Sequence, residues 1–406
     1  MKWLNFLAKK AELKEQYFYE YERYLGIIAK DLLFQDLSIG KYDKKYIKVP
    51  KDVEDKLKKF RPTPLYRLRN LEKYIGTKCK IYAKREDLTL SGSHKINTSI
   101  PQVFYAIKDN ATEVVTDTGA GQWGLAVSLA ASQFKIKSTI FMIKVSYEQK
   151  LHRVRLMKIL GSKVVPSPST LTKAGRVARK KGYKHGSLGI GMSEAIEYVN
   201  TNRKRRLLLG CMSNYAVLHQ TIIGLETIKQ CEKEKIFPDF LIGPVGGGSN
   251  FCGLVLPFLE RFNGEKITYI AAESKHIPVL TKGKYTKDYQ DYIGFLPKIK
   301  MYSLGHKFEP PPLYSGGLRY HGKNFILSYL RKEGIIKVKD YSEKEILKTL
   351  ILTYKLENLL PAPETAHAIK AALDIAKRYR NTTKVIVFNF TGNGMLDITG
   401  IPRLNF

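Results

Sequence analysis

Three consecutive glycines, Gly246, Gly247 and Gly248, restrict the fold of this chain more than any other feature. An apolar run with strand character precedes them at 240–245, and an apolar pattern with helical spacing follows them at 251–262. Glycine allows backbone conformations in which successive N–H groups converge on one anion, and a helix start adds its positive dipole end. The segment therefore predicts a strand–loop–helix unit that binds a phosphate. A tight turn without a ligand is the alternative.

Lys95 lies in a second informative segment, residues 92–97, with the sequence Gly-Ser-His-Lys-Ile-Asn. A lysine amine can form a Schiff base with an aldehyde. Pyridoxal phosphate requires both a phosphate-binding loop and a lysine that can form a Schiff base, and these two segments supply them. The two segments together predict a pyridoxal phosphate enzyme. The alternative for the lysine is an ordinary surface position.

Strand and helix patterns alternate from Arg61 onward, which indicates an α/β fold with parallel sheets covered by helices. Residues 1–60 are predicted to form a helical extension that packs on the main body or makes a subunit contact. Residues 283–322 are rich in Gly, Pro and Tyr, and are predicted to be an irregular lid or wall of a substrate site. Strands are expected near 80–84, 113–116, 139–143, 163–165, 240–242, 268–272 and 384–390.

The overall composition is that of a globular enzyme apart from its charge. The 406 residues include 69 Lys and Arg against 37 Asp and Glu, a net charge of +32, which raises the alternative of a nucleic-acid or other polyanion-binding protein. The lysines are mostly dispersed, so a solvated basic surface is the favoured interpretation.

The four cysteines have no paired spacing, which argues against disulfide or zinc frameworks. No apolar run reaches about 18 residues and no signal-peptide pattern is present, so a cytoplasmic protein without membrane spans is expected.

Seven segments occur in an order that resembles the tryptophan synthase β chains, and more narrowly their second, often archaeal class. The resemblance covers roughly residues 60–400, and Trp123 in place of a histidine is what suggests the second class. The segments are Arg61-Pro62-Thr63-Pro64-Leu65, Lys84-Arg85-Glu86-Asp87-Leu88, residues 92–97, Thr118-Gly119-Ala120-Gly121-Gln122-Trp123-Gly124, residues 246–250, Gly317-Leu318-Arg319-Tyr320-His321-Gly322 and Pro361-Ala362-Pro363-Glu364.

The resemblance implies a lyase with pyridoxal phosphate as cofactor and the fold called type II. That fold has two three-layer α/β domains with mostly parallel sheets. It implies a smaller mobile domain at 98–215 and a larger cofactor-binding domain at 61–97 and 216–406, preceded by the extension at 1–60. It also implies a homodimer, a weak or absent contact with an α subunit, and a monovalent cation, K⁺ or Na⁺, whose ligands the sequence does not identify.

The resemblance assigns cofactor contacts residue by residue. Lys95 would hold the cofactor as a Schiff base and then act as acid and base at the substrate α-carbon. His94 would contact the phosphate and Asn97 the ring oxygen. Thr391 would face the pyridine nitrogen, where the family usually has a serine. The phosphate donors would be Gly246, Gly247, Gly248, Ser249 and Asn250.

Substrate contacts follow from the same resemblance. The loop of Thr118, Gly119, Ala120, Gly121 and Gln122 would bind the substrate carboxylate through backbone N–H groups at a helix start. Glu364 would accept a hydrogen bond from the indole N–H. A glutamate in a first helical turn is also favoured by the dipole alone, so a structural role is its alternative.

Two further positions, Asp117 and Arg319, depart from the family pattern in ways that bear on the reaction and the substrate. The family has glutamate where this chain has Asp117, and the shorter side chain withdraws the acid–base carboxyl by roughly 1.5 Å. A backbone shift, a leaving group that needs less protonation, or the loss of indole chemistry would each account for it. Classical β chains have an aspartate near Arg319, and a guanidinium suits phosphate. The substrate is therefore serine or O-phospho-L-serine, with Arg319 either as a phosphate clamp or in a structural ion pair.

The sequence thus predicts a tryptophan synthase that joins indole to serine or O-phosphoserine by β-replacement. A lyase that deaminates serine or phosphoserine to pyruvate and ammonia is the rival enzyme. A polyanion-binding protein on the same fold is the rival of another class.

Overall fold

The apolar runs form two mainly parallel sheets in the computed structural model of the chain, which describes residues 1–17, 20–263 and 265–400. The strands are β1 (Lys2–Leu4), β2 (Tyr46–Lys48), β3 (Leu65–Arg67), β4 (Lys80–Arg85), β5 (Glu113–Thr118), β6 (Lys137–Ile143), β7 (Lys163–Ser167), β8 (Arg205–Leu207), β9 (Phe240–Pro244), β10 (Thr268–Ser274), β11 (Lys284–Tyr289), β12 (Lys298–Ser303), β13 (Ile336–Tyr341) and β14 (Val385–Phe390).

Helices connect most of these strands, which is what a parallel sheet requires because each strand must return to the same edge. They are α1 (Ala11–Tyr17), α2 (Lys30–Leu37), α3 (Lys51–Leu57), α4 (Arg69–Ile75), α5 (Ile96–Lys108), α6 (Gln122–Gln133), α7 (Lys144–Gln149), α8 (Leu151–Ile159), α9 (Lys173–Lys180), α10 (Leu188–Asn200), α11 (Asn214–Gln220), α12 (Ile222–Lys233), α13 (Ser249–Arg261), α14 (Val279–Lys282), α15 (Phe325–Lys332), α16 (Glu343–Glu357) and α17 (Pro363–Arg378).

The smaller sheet has four parallel strands in the order β7-β6-β5-β8. Helices α6 and α10 pack on β5 and β6. Because both faces are covered, β5 and β6 are buried along almost their whole length. This sheet lies within the segment predicted to form the smaller domain.

The larger sheet has six strands in the order β13-β10-β9-β14-β4-β3, parallel except for the edge pair β3 and β4. All six residues of β14 are buried, since this strand lies between β9 and β4. The α/β fold with parallel sheets predicted from the sequence is confirmed. The proposed domain boundaries stay a prediction.

Residues 1–60 are not purely helical, which corrects the sequence-based prediction. β1 and β2 pair as a short antiparallel sheet, and Trp3 is fully buried in the same apolar core that contains strands of both sheets. The Asp36 carboxylate accepts a hydrogen bond from the N–H of Asn214 at 2.6 Å. The extension therefore packs on the main body.

Residues 283–322 also contain regular structure that the prediction of an irregular lid did not include. β11 and β12 form an antiparallel hairpin with six residue pairs. The remainder returns to the body through a short 3₁₀ turn, Gly316–Leu318. This turn, rather than the hairpin, reaches the candidate site.

No helix among the described residues is long and apolar enough to cross a membrane.

Candidate active site

A cleft with about 870 Å³ of empty space, part of it open to solvent, lies where β5, β9 and β14 end. Ligands of open α/β sheets bind at this carboxyl edge because the loops that follow parallel strands meet there. The predicted site residues that line the cleft are His94, Lys95, Asp117, Thr118, Gly119, Ala120, Gln122, Gly246, Gly247, Gly248, Ser249, Asn250, Arg319, Glu364 and Thr391.

Lys95 immediately precedes α5 and is held in the cleft by the loop before it. The backbone N–H of His94 donates to the carbonyl of Thr391 at 3.0 Å, which joins this loop to the end of β14. The Lys95 Nζ donates to the carbonyl of Gly210 at 3.1 Å. Lys95 is therefore positioned by a hydrogen bond to a backbone carbonyl, and no carboxylate of the described residues forms an ion pair with it.

The glycine loop begins after β9 and leads into α13. A Cβ at Gly247 would overlap the sulfur of Cys211, and Gly248 has a φ of +109°, which L side chains rarely adopt. Gly248 is also the N-cap of α13, and no side chain caps the helix start. The unpaired N–H groups of the first turn are thus available for an anion.

His94 tests whether the cleft suits the predicted cofactor. Its Nδ1 donates to the Thr391 carbonyl at 3.1 Å, whereas its buried Nε2 has no partner among the described residues. Burial and the nearby Lys95 lower the pKa of His94 to about 3. A buried polar atom without a partner calls for a ligand. Because Nδ1 carries the proton of the neutral ring, Nε2 can accept a hydrogen bond from a protonated group of that ligand, while the N–H groups of the glycine loop supply the donors for a phosphate such as that of pyridoxal phosphate.

The predicted carboxylate loop leads into α6. Gly121 is the N-cap with a φ of +87°, and again no side chain caps the helix. The Arg153 guanidinium donates to the carbonyl of Ala120 at 3.0 Å, and the same guanidinium binds Asp397 in a bidentate pair at 2.6 and 2.8 Å. The loop is therefore tied to the C-terminal segment. Gly121 itself does not line the cleft.

Asp117 lies one residue before the end of β5, with 4% of its surface exposed. Burial raises the pKa of Asp117 to about 7, and the positive charge of Lys95 opposes that rise. A carboxyl that is about half protonated at neutral pH can both donate and accept a proton. Its environment is thus suited to acid–base work despite the shorter side chain.

Glu364 and Arg319 face the cleft from the side of the 3₁₀ turn. The Glu364 carboxylate accepts hydrogen bonds from the Gly317 N–H at 2.6 Å and from the Gln122 side chain at 3.3 Å. The Arg319 Nη2 donates to the Ser146 hydroxyl, and its buried Nε has no partner among the described residues. Burial lowers the pKa of Arg319 to about 10.

Asn97 is the predicted cofactor residue that the structure does not bring to the cleft. Its Oδ1 accepts from Arg61 at 2.7 Å, and its Nδ2 donates to Glu86 at 2.8 Å and Gln220 at 3.1 Å. These protein partners occupy both ends of the amide, so the predicted contact with the ring oxygen gains no support.

Several cleft residues were not identified from the sequence: Leu188, Met192, Cys211, Met212 and Tyr320. Cys211 and Met212 follow β8, whose partner β5 also ends at the cleft. Their position after a parallel strand was therefore a usable signal. Among the described residues, no group of three or more His, Cys, Asp or Glu side chains is placed to hold a metal ion.

Comparisons with known proteins identify the family of the chain. The family described as pyridoxal-phosphate dependent enzyme matches residues 57–392. A tryptophan synthase beta chain of Pyrococcus horikoshii is 46% identical over 385 residues, which cover 93% of this chain and 83% of that protein. A tryptophan synthase beta chain 2 of Pyrococcus furiosus is 47% identical over 380 residues, covering 92% and 84%.

Solved structures of low identity share the fold alone. A fungal L-serine ammonia-lyase from Rhizomucor miehei superposes with a TM-score of 0.62 at 16% identity, covering 84% of this chain and 98% of that chain. Maize serine racemase superposes with a TM-score of 0.60 at 19% identity, covering 84% and 93%.

Proposed function

The chain belongs to the pyridoxal-phosphate dependent enzymes and, among them, to the tryptophan synthase β chains, and from that membership we propose that it joins indole to the side-chain carbon of serine or O-phospho-L-serine to make L-tryptophan. The observation that carries the proposal is one cleft lined by a lysine, a glycine loop, a carboxyl with a raised pKa and a second carboxylate.

Pyridoxal phosphate, when bound, draws electrons from the substrate α-carbon and so makes its proton removable. Lys95, His94, Thr391 and the loop of residues 246–250 would hold it. In the described part of the chain the partner of Lys95 Nζ is a backbone carbonyl, which does not use the lone pair of the neutral amine. In this proposal Lys95 removes the α-proton and later returns it to the same carbon.

The carboxyl of Asp117 is the proposed acid and base for the group that leaves the β-carbon and for the indole that adds to it. Its raised pKa keeps a fraction protonated near pH 7, so it can donate to a departing hydroxyl and then accept the proton that indole loses. Glu364 is fixed by Gly317 and Gln122, and a fixed carboxylate can orient indole through its N–H so that ring carbon C3 attacks.

We infer that O-phosphoserine, rather than serine, is the preferred substrate. Arg319 is 2% exposed, and no carboxylate in the described part of the chain lies within ion-pair distance of it. This favours the phosphate clamp over the structural ion pair. The charges of Glu364 and Glu343 act on the Arg319 guanidinium without contacting it. A buried guanidinium without a directly bound counter-ion is costly, and a substrate phosphate at this position would neutralise it through bidentate hydrogen bonds.

The quaternary structure proposed here is a homodimer without a stable α-subunit complex. This proposal of a homodimer rests on the resemblance to second-class β chains. The extension at residues 1–60 packs on its own chain.

Product analysis tests the proposal. The protein is incubated with pyridoxal phosphate and indole, with serine in one reaction and O-phosphoserine in the other. We expect tryptophan in both and a higher kcat/KM with O-phosphoserine. Pyruvate without tryptophan would replace the proposal with the deaminating lyase.

Arg319→Ala tests the substrate preference separately. The substitution is expected to lower kcat/KM for O-phosphoserine by roughly 100-fold, because a charge-assisted pair is lost, and to change serine turnover much less. Arg261→Ala, which removes a half-exposed arginine from the end of α13, is the control. Equal losses for both substrates would contradict the phosphate clamp.

A further inference from the structure

Lys323 is a buried cation that the proposed reaction does not use. It follows the segment that carries Arg319 and comes two residues before α15, and its side chain is 1% exposed. The Nζ donates to the carbonyl of Val245 at 3.0 Å, and a Glu273 carboxylate oxygen lies at 3.5 Å. An ammonium removed from water in this way needs partners that compensate its lost hydration.

Glu273 alone does not explain the position of Lys323. The Glu273 carboxylate accepts hydrogen bonds from the N–H groups of Leu280 and Thr281 and from the Thr281 hydroxyl, at 2.9 to 3.1 Å. It is therefore well satisfied at the start of α14 without the lysine. The closer contact of the ammonium is with Val245, the residue directly before the glycine loop.

Two consecutive residues hold the glycine loop from behind. Lys323 binds the carbonyl of Val245, and the N–H of Asn324 donates to the carbonyl of Gly247 at 2.8 Å. In a trans peptide the carbonyl and the following N–H point in opposite directions. Fixing these two carbonyls on the side of Lys323 and Asn324 therefore turns the N–H groups of Gly246 and Gly248 the other way. Both glycines line the cleft.

We propose that Lys323 is a positioning residue for the phosphate loop, a built-in cation that orients the loop donors and fills the place where a free monovalent cation would otherwise bind the Val245 carbonyl and the Glu273 carboxylate. The ammonium also adds positive charge behind the loop. This inference rests on residues 246–250 being the cofactor phosphate site, and it is independent of which amino acid or acceptor the enzyme uses.

Titration of the apoprotein with pyridoxal phosphate, followed by cofactor absorbance, tests the inference without indole or serine. We expect Lys323→Ala to weaken cofactor affinity by roughly ten- to hundredfold, the cost of losing a hydrogen bond from a charged donor. Added ammonium or K⁺ should restore much of that affinity in the variant. Wild-type affinity should not depend on either ion. Lys332→Ala, an exposed lysine on α15, is the matched control.

Three results would overturn the inference: unchanged affinity in Lys323→Ala, a loss that neither ammonium nor K⁺ reverses, or a wild-type protein that itself requires K⁺ to bind the cofactor.

Thermal denaturation of the apoproteins checks that each variant is folded. If the alanine variant does not fold, Lys323→Arg and Lys323→Met are compared. Binding retained by arginine and lost by methionine supports the role of the charge, and equal binding contradicts it. Wild-type tryptophan synthesis is assayed separately, so failure of the proposed function is distinguishable.

Discussion

The environment of Asp117 determines when this residue can donate a proton to the leaving group. Its side chain is shorter than the glutamate that the family resemblance implies at this position, yet burial raises the pKa of Asp117 to about 7. An acid with that pKa is protonated below about pH 7 and loses its donor capacity above it. A departing hydroxyl needs this proton, whereas a departing phosphate needs it less.

The pH dependence of turnover should therefore differ between the two substrates. At saturating serine, kcat is expected to fall about tenfold per pH unit above pH 7, because the protonated fraction of Asp117 falls by that factor. With O-phosphoserine the decline should be much smaller. Steady-state rates from pH 5.5 to 9 measure both profiles. Asp117→Asn should abolish the serine rate, and an unchanged serine profile in that variant would exclude Asp117 as the acid.

Arg319 and Asn97 show what single residues reveal before a structure is known. The residue type of Arg319 suggested an anion partner, which stays a prediction, whereas its lack of an ion-pair partner among the described residues depends on neighbours from distant segments. Asn97 matched a motif, but its partners Arg61 and Gln220 come from other elements. Burial of the amide among those partners was not readable from local sequence.

At the scale of elements, a buried charge cluster fixes the start of α5. Arg61 binds Glu86 and Glu226 at 3.0 and 2.8 Å, and Lys84 binds Glu226 at 2.9 Å. Asn97, in the first turn of α5, joins the same cluster through Glu86. Three of the sequence segments that resemble the family thus meet in one network beside Lys95.

Glu86→Gln tests the importance of this cluster. Burial alone would raise the pKa of Glu86, but Arg61 and Lys84 hold it at about 2, below the value of about 4.3 for an unfolded chain. Its contribution to stability is therefore present above pH 4.3 and is lost as the pH falls towards 2. We expect the variant to lower the free energy of unfolding at pH 7 by about 3 kcal/mol.

Urea unfolding at pH 7 and pH 3 provides the measurement, with the exposed Asp55→Asn as control. The difference between variant and wild type should shrink at pH 3. A difference that is the same at both pH values would show that Glu86 acts by packing rather than by charge.

Elements with strong local signals were predictable, and paired short strands were not. β9, the glycine loop and α13 have apolar periodicity and a glycine run that identify them locally. β1 and β2 are three residues each and pair across more than 40 residues of chain, so neither has a periodic pattern to recognise. β11 and β12 contain several lysines, which made the hairpin resemble a polar loop.

At the scale of the whole molecule, the net charge of +32 acts on any anionic substrate. Steering by a field of this size is screened by salt. We expect kcat/KM for O-phosphoserine to fall several-fold as ionic strength rises from about 20 to 200 mM, and that for zwitterionic serine to change little. Assays at both ionic strengths with constant pH measure the effect. The same dependence for both substrates would mean that the charge does not recruit the substrate.

The position of β14 has a consequence for the order in which the protein can be assembled during translation. This strand follows all the other described strands in chain order, yet it separates β9 from β4 in the middle of the larger sheet. Thr391, which follows it, lines the cleft, and Asp397 holds the arginine behind the carboxylate loop. A nascent chain therefore keeps the edges of β4 and β9 unpaired until the ribosome has released the final strand. Both the larger sheet and the candidate cleft are therefore completed only once β14 has been synthesised.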